Sequence, residues 1–328
     1  MKYRQREVRI FIFTLCMLAA AVFISFCVGR YRITWTDLIG SGQEQMGRKV
    51  FYTLRLPRTM MAVCAGFVLS MAGSIYQTLF RNPLAAPDII GVSSGAGAGA
   101  AFAIVLFGGG MWMTSVFAFA GGLLTVMLAL GLVTMAGRKQ MAVFVISGIA
   151  VNSLAQSVVM VLKLMADPER QLASIEYWMM GSFASITMSK LVAALPFAAA
   201  GLAGVCQLHR QVTMLALEEE EARMLGVPVA FMRKLIMVLV TLMVSGIISV
   251  TGLISFIGLI APHLARLIMK DNRFFTAVYS GIIGALLLVV SDCIARSLTT
   301  SELPVSVVTS FIGVPFLIYF ICGREKIA

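Results

Sequence analysis

Ser301-Glu302-Leu303-Pro304-Val305-Ser306-Val307-Val308-Thr309-Ser310-Phe311-Ile312-Gly313-Val314-Pro315-Phe316 puts an acid and a proline before an apolar run, with a glycine and a second proline inside it. Proline within a helix frees a carbonyl. In a bilayer that is tolerated only where neighbouring helices or water satisfy the freed group. The stretch therefore reads as a kinked span in a bundle of membrane helices.

The rest of the chain agrees. Of its 328 residues, 59% are hydrophobic and 12% charged, against about 25% charged in soluble domains. Mean hydropathy is +0.94. This argues against a single water-soluble core. Run lengths and breaks give about ten spans: Ile10–Val28, Thr59–Phe80, Ile89–Phe107, Met113–Met135, Val143–Met165, Leu191–Leu208, Leu235–Val250, Phe256–Met269, Ala277–Ile294 and Val305–Cys322. The expectation is an all-α membrane protein with residues 1–328 forming a single polytopic domain. Met1 to Arg9 is basic and precedes the first apolar run, as in a signal peptide. No small-residue cleavage site closes that run, so it reads as a retained helix.

An even number of spans puts both termini on one side. With that side cytoplasmic, inner segments hold 16 of the 26 Lys and Arg residues. The bias has the sign of the positive-inside rule. Six of the outer ten crowd into one segment: Arg30, Arg32, Arg48, Lys49, Arg55 and Arg58. The net charge of +11 is scattered over helix ends, which fits topology and lipid headgroups and gives no case for nucleic acid.

Several chemistries find no support. The six cysteines lie in or beside apolar runs without a C-x-x-C pair, and two histidines do not make a metal site. No cofactor, metal or catalytic residues are expected. Gly91, Gly95 and Gly99 give two overlapping G-x-x-x-G patterns, suited to close helix packing. No G-x-x-x-x-G-K-[ST] loop occurs, so any ATP hydrolysis would belong to another subunit.

The longest polar inner stretch, His209 to Lys234, contains Glu218-Glu219-Glu220-Glu221 and ends in Gly226-Val227-Pro228. Acids at a start and a Gly-Val-Pro stop describe a short surface helix. It is either a solvated loop helix or a docking element for a cytoplasmic protein. Asp292 reads as the acid within a span, with Arg296 at i+4 as its structural partner. Asn152 and Gln156 share a face of the fifth span. They would line a pathway or bond between helices. The 22 methionines suit repacking interfaces or are ordinary apolar filler.

Five segments stand in order along nearly the whole chain: Arg55-Leu56-Pro57-Arg58; Arg81-Asn82-Pro83-Leu84-Ala85-Ala86-Pro87 with Gly91 and Gly95; Tyr177 to Phe183; Gly252 to Arg266, including Gly258, Pro262 and His263; and Glu302-Leu303-Pro304. Together they resemble the FecCD-type permeases, the membrane subunits of ABC importers for iron–siderophores, haem and cobalamin.

The resemblance implies a type II ABC importer permease: a homodimer of ten-helix subunits in a bacterial inner membrane, termini cytoplasmic. Two cytoplasmic ATPases and an extracytoplasmic binding protein would be its partners, and a metal chelate, most often a ferric siderophore, its substrate. It implies ATPase docking by 213–228, with Leu217, Glu218, Glu219, Ala222, Arg223, Leu225 and Gly226 as contacts. Glu218 departs from the family's usual glycine. Arg55 and Arg296 would meet the binding protein. A cytoplasmic gate would lie at Gln140, Met141 and Ala142, closing by apolar packing. His263 would be a hydrogen-bonded structural residue and Arg266 would sit at the cytoplasmic interface. An ion-coupled transporter is the rival reading, with only Asp292 to support it. An integral membrane enzyme has no catalytic grouping behind it.

Overall fold

The computed structural model describes residues 2–29, 45–137, 141–271, 273–298 and 302–324. Regular structure among them is helical. Helix α1 (Lys2–Cys27) lies on the outside of the bundle. Helix α2 (Gln45–Val50) runs through a π-helical turn, Phe51–Arg55, into α3 (Leu56–Leu79). Pro57 fits the opening turn of α3, where no intrahelical N–H bond is required. A 3-10 turn, Pro87–Ile90, precedes α4 (Val92–Phe107), α5 (Met111–Met135) and α6 (Met141–Met165). The short α7 (Gln171–Met179) leads to α8 (Met188–Gln207). Then come α9 (His209–Met214), α10 (Glu219–Met224), α11 (Val229–Thr251), α12 (Ile257–Met269), α13 (Phe274–Ala295) and α14 (Val305–Arg324).

Seven of the described helical segments are long and apolar enough to cross a bilayer: α1, the joined α2–α3, α5, α6, α8, α11 and α13. Three further expected spans correspond to apolar helices of shorter length, namely α4, α12 and Val305–Tyr319 of α14. Two of the three have a visible cause for their length. After Leu79 the chain turns back through Arg81 at φ +48 and climbs into the bundle before α4 begins. The carbonyl of Ile89 rests on Gly148 and Gly91 lies against Asn152, both near the middle of α6. Helix α11 likewise stops at Gly252, φ +71. Residues 253–256 are non-helical and α12 starts only after Phe256, held at φ +68.

Those interruptions leave backbone groups that the bundle itself satisfies. Ser182 N–H donates to Thr251 O at 2.8 Å, Ser306 Oγ to Leu253 O at 2.6 Å, and Val305 N–H to Gly181 O at 3.1 Å. The end of α7 and the start of α14 thus serve the break after α11, as a bilayer interior requires.

The core is built on α3, which packs on α11, α12 and α13. Met61, Met71, Ile75, Tyr76 and Leu79 of α3 are fully buried. Gly73 allows α3 to touch α12: a Cβ there would collide with the carbonyl of Gly258. On the other flank, a Cβ at Gly95 of α4 would meet Gly121 and Thr125 of α5. Both are backbone approaches that small residues permit in lipid, and the second is the use expected for the G-x-x-x-G repeat.

Candidate functional site

Three groupings of polar residues stand out along the bundle. The first joins the start of α3 to the end of α13. Arg58 donates from Nε to Asp292 Oδ1 at 2.9 Å and Oδ2 at 3.1 Å, from Nη2 to Oδ1 at 2.8 Å, and from Nη1 to Glu302 Oε2 at 2.8 Å. A forked guanidinium suits this bridging. The expected Asp292–Arg296 pair exists but is long, at 3.6 Å. Arg296 instead donates through Nη2 to Ser25 O at 2.8 Å and to Ser25 Oγ. Arg58 is therefore the principal partner of Asp292, which i, i+4 spacing could not reveal.

Arg55 donates to Phe26 O, and to Cys27 O at 3.3 Å. Arg55 and Arg296 are only 5% and 6% exposed. Both guanidinium groups are thus engaged within the chain. Within the chain they fasten the end of α1 to α3 and α13, next to a cavity of about 270 Å³.

The second grouping lies midway along α6. Asn152 and Gln156 border a cavity of about 200 Å³ with Asp88, Ser93 and Ser255. Asp88 belongs to the 3-10 turn before α4, so the re-entrant path of residues 80–91 carries an acid into the bundle. The acid expected in the membrane was Asp292. Asp88 was missed because it precedes its apolar run and reads as a loop residue. The prolines at 83 and 87 and the glycine at 91 were the available signal of a broken, re-entering segment.

The third grouping is the polar stretch before α11. The expected surface helix is α10, preceded by α9. Glu218 stands at the N-cap without a side-chain bond, and Gly226 ends the helix at φ +81. Ala222 is buried, whereas Leu217, Met224 and Leu225 are exposed. Glu219 pairs with Arg223, as i, i+4 spacing allows. It also faces the buried Arg233 of α11, with Nη2 3.7 Å from Oε2. Arg233 lies over the ring of Phe144, near the start of α6, at 5.6 Å.

The remaining expected residues scatter. Gln140 lies outside the described residues. Met141 is half-buried against the core and Ala142 is exposed. Asn82 accepts the Leu84 N–H at 2.9 Å and shapes the exposed turn with Pro83. Pro262 is buried inside α12, and Arg266 Nε reaches its carbonyl at 3.5 Å. The His263 ring meets Phe316 of α14 edge-on at 5.8 Å. Pro304 directly precedes α14, and Glu302 bonds Arg58.

Comparison with known proteins agrees with this architecture. The FecCD transport family matches residues 17–323. The cobalamin import system permease protein BtuC of Halobacterium salinarum is 33% identical over 284 residues, 87% of this chain and 76% of its own. The molybdate import system permease protein MolB of Haemophilus influenzae is 32% identical over 313 residues, 92% and 91% of the two chains. An inward-facing metal-chelate type ABC transporter structure superposes with a TM-score of 0.86 at 32% identity, covering 96% of this chain and 99% of that one. The chain belongs to the FecCD transport family, and is thus a multi-pass permease of the ABC importer type.

Proposed function

We propose that this chain is the membrane-spanning subunit of an ATP-driven importer for a metal chelate, most often a ferric siderophore. Haem and cobalamin are the alternatives. Ten helices in all lie in the membrane on this reading, with α4, α12 and α14 completing the seven longer ones as one polytopic domain. The termini are cytoplasmic, which agrees with the charge bias. The functional unit is a homodimer with two ATPases and a binding protein. It sits in a bacterial cytoplasmic membrane and performs no bond chemistry of its own.

The observation that carries the reading is the arrangement around α10. Leu217, Met224 and Leu225 present an apolar surface beside the acidic run. Behind it, Glu219 is linked through Arg233 to Phe144 at the root of α6. A partner that pushes on α10 therefore acts on the helix that carries Met141, Asn152 and Gln156. The polar side of α6 gives independent support. Ser153, Gln156 and Ser157 are exposed in the single chain, near the middle of a helix long enough to span. Such residues are costly against lipid and are expected to face a water-filled path. Arg55 and Arg296 mark the binding-protein face on this reading, where they also hold the α1, α3 and α13 ends that present the outer surface.

The test is uptake in cells lacking this chain, comparing radio-iron on several siderophores, labelled haem and labelled cobalamin. Selective loss of one cargo, restored by the wild-type chain together with its ATPase, supports the reading. Uptake driven by an ion gradient in ATP-depleted vesicles overturns it in favour of an ion-coupled transporter.

A further inference from the structure

The 3-10 turn before α4 places one carboxyl group at the mid-bundle cavity. Asp88 is the charged residue among the described residues lining the mid-bundle cavity. Ser93 Oγ donates to its Oδ1. Its Oδ2 receives no hydrogen bond from the described residues, although Asp88 is open to the cavity. The carboxamides of Asn152 and Gln156 and the Ser255 hydroxyl share that space, and none is used in a side-chain bond.

A structural role alone does not account for this arrangement. The N-terminus of α4 offsets roughly half a unit charge, and Ser93 uses a single oxygen. What remains is a carboxyl group with a free acceptor oxygen. It opens into the cavity and is flanked there by two amides able to donate or accept. The break between α11 and α12 borders the same cavity through Leu253, Ile254 and Ser255. Unwound backbone of this kind is a recurring wall of mid-membrane binding sites.

We propose that Asp88 is a specificity-determining contact of the transport path. With Asn152, Gln156 and Ser255 it favours cargo that presents cationic or hydrogen-bond-donor groups, and it opposes small oxyanions. A chelate bearing amines, amides or hydroxyls supplies donors for the free oxygen. A fully deprotonated oxyanion carries acceptors only, and like charges brought together repel. This rests on the reading that α6 faces the path.

Thiol labelling of the full-length chain in lipid nanodiscs tests the idea. Gln156→Cys is exposed to a trimethylammonium-ethyl and a sulfonato-ethyl methanethiosulfonate, and modification at position 156 is followed by peptide mass spectrometry. The six native cysteines then need no replacement. The cationic reagent is expected to react several-fold faster, after correction against the rates of the two reagents with a free small thiol in solution. Asp88→Asn, which keeps an oxygen for Ser93, is expected to bring the ratio to the reference value. Asp88→Ser is a second neutral variant if Asp88→Asn fails to accumulate, and Asp88→Glu should keep the ratio. A ratio at the reference value with Asp88 present overturns the proposal and leaves the transport reading standing. No labelling at 156 by either reagent means that water does not reach this face of α6, and then the transport reading falls first.

Discussion

Arg233 sits 3% exposed with its guanidinium 5.6 Å from the centre of the Phe144 ring, and Glu219, its carboxylate neighbour among the described residues, is 3.7 Å away on another helix. Its Nε and Nη1 have no hydrogen-bond partner among the described residues. A buried cation so sparsely matched is costly. Its placement is better explained by what it connects: the exposed α10, the base of α11 and the root of α6.

Arg233→Met keeps the volume and removes the link. In the purified importer, ATP hydrolysis should persist while cargo uptake falls roughly tenfold, a loss of about 1.4 kcal/mol of coupling. Uptake and hydrolysis measured on the same proteoliposomes decide it. A parallel fall in both would point to general misfolding instead.

Glu219 is a poor residue with which to probe docking, because its loss strands Arg233. Met224 and Leu225 are exposed and contribute little to the core. Met224→Ser with Leu225→Ser should abolish co-purification of the ATPase while shifting the melting temperature of the isolated chain by no more than a degree or two. An intact complex would remove α10 from the interface.

Asp292→Asn takes the charge from a site where Arg58 is bridged at 2.8–3.1 Å. With only Glu302 left to match the buried Arg58 guanidinium, the loss approaches the about 3–5 kcal/mol of a broken buried pair, so the variant should melt far below wild type in detergent. Removing both charges, as Arg58→Met with Asp292→Leu, should cost less than the two single changes added together. Strict additivity in a thermal-melt cycle would show that the pair is not coupled.

Gly73→Ala should prevent accumulation of folded protein, since the new Cβ overlaps the Gly258 carbonyl. Gly131 of α5 has open space around its would-be Cβ and serves as the control. Gly131→Ala is expected to be neutral or to stabilise by up to about 1 kcal/mol. Expression level and melting temperature of the two variants provide the comparison.

The apolar runs were legible because each helix must bury its backbone polarity within itself, and that demand writes a hydropathy signature. The surface helix α10 was legible too, since acids at its start and Gly226 at its end are local rules. Partnerships between distant segments were not. Arg58 and Asp292 lie 234 residues apart, and nothing in either neighbourhood names the other. The depth of Asp88 depends on Gly148 and Asn152 of α6 receiving the turn that carries it, a tertiary fact. The burial of Arg55 and Arg296 depends on where the end of α1 comes to rest. The ten runs were found, but the shortness of α4 and α12 was not, because re-entry and unwinding are settled by packing on neighbours.

The ion pair at the top of α3 also imposes a timetable on biogenesis. The ribosome delivers Arg58 early and Asp292 late, at roughly 5–20 residues per second. For roughly ten to fifty seconds the nascent chain carries a guanidinium whose chief carboxylate has not been made. Every helix from α4 to α12 is synthesised during that interval. A chain that stalls or is cut before α13 is left with a lone cation at the head of its central helix. That cation would mark an unfinished molecule for membrane quality control, and arrival of the ninth apolar run would remove the mark.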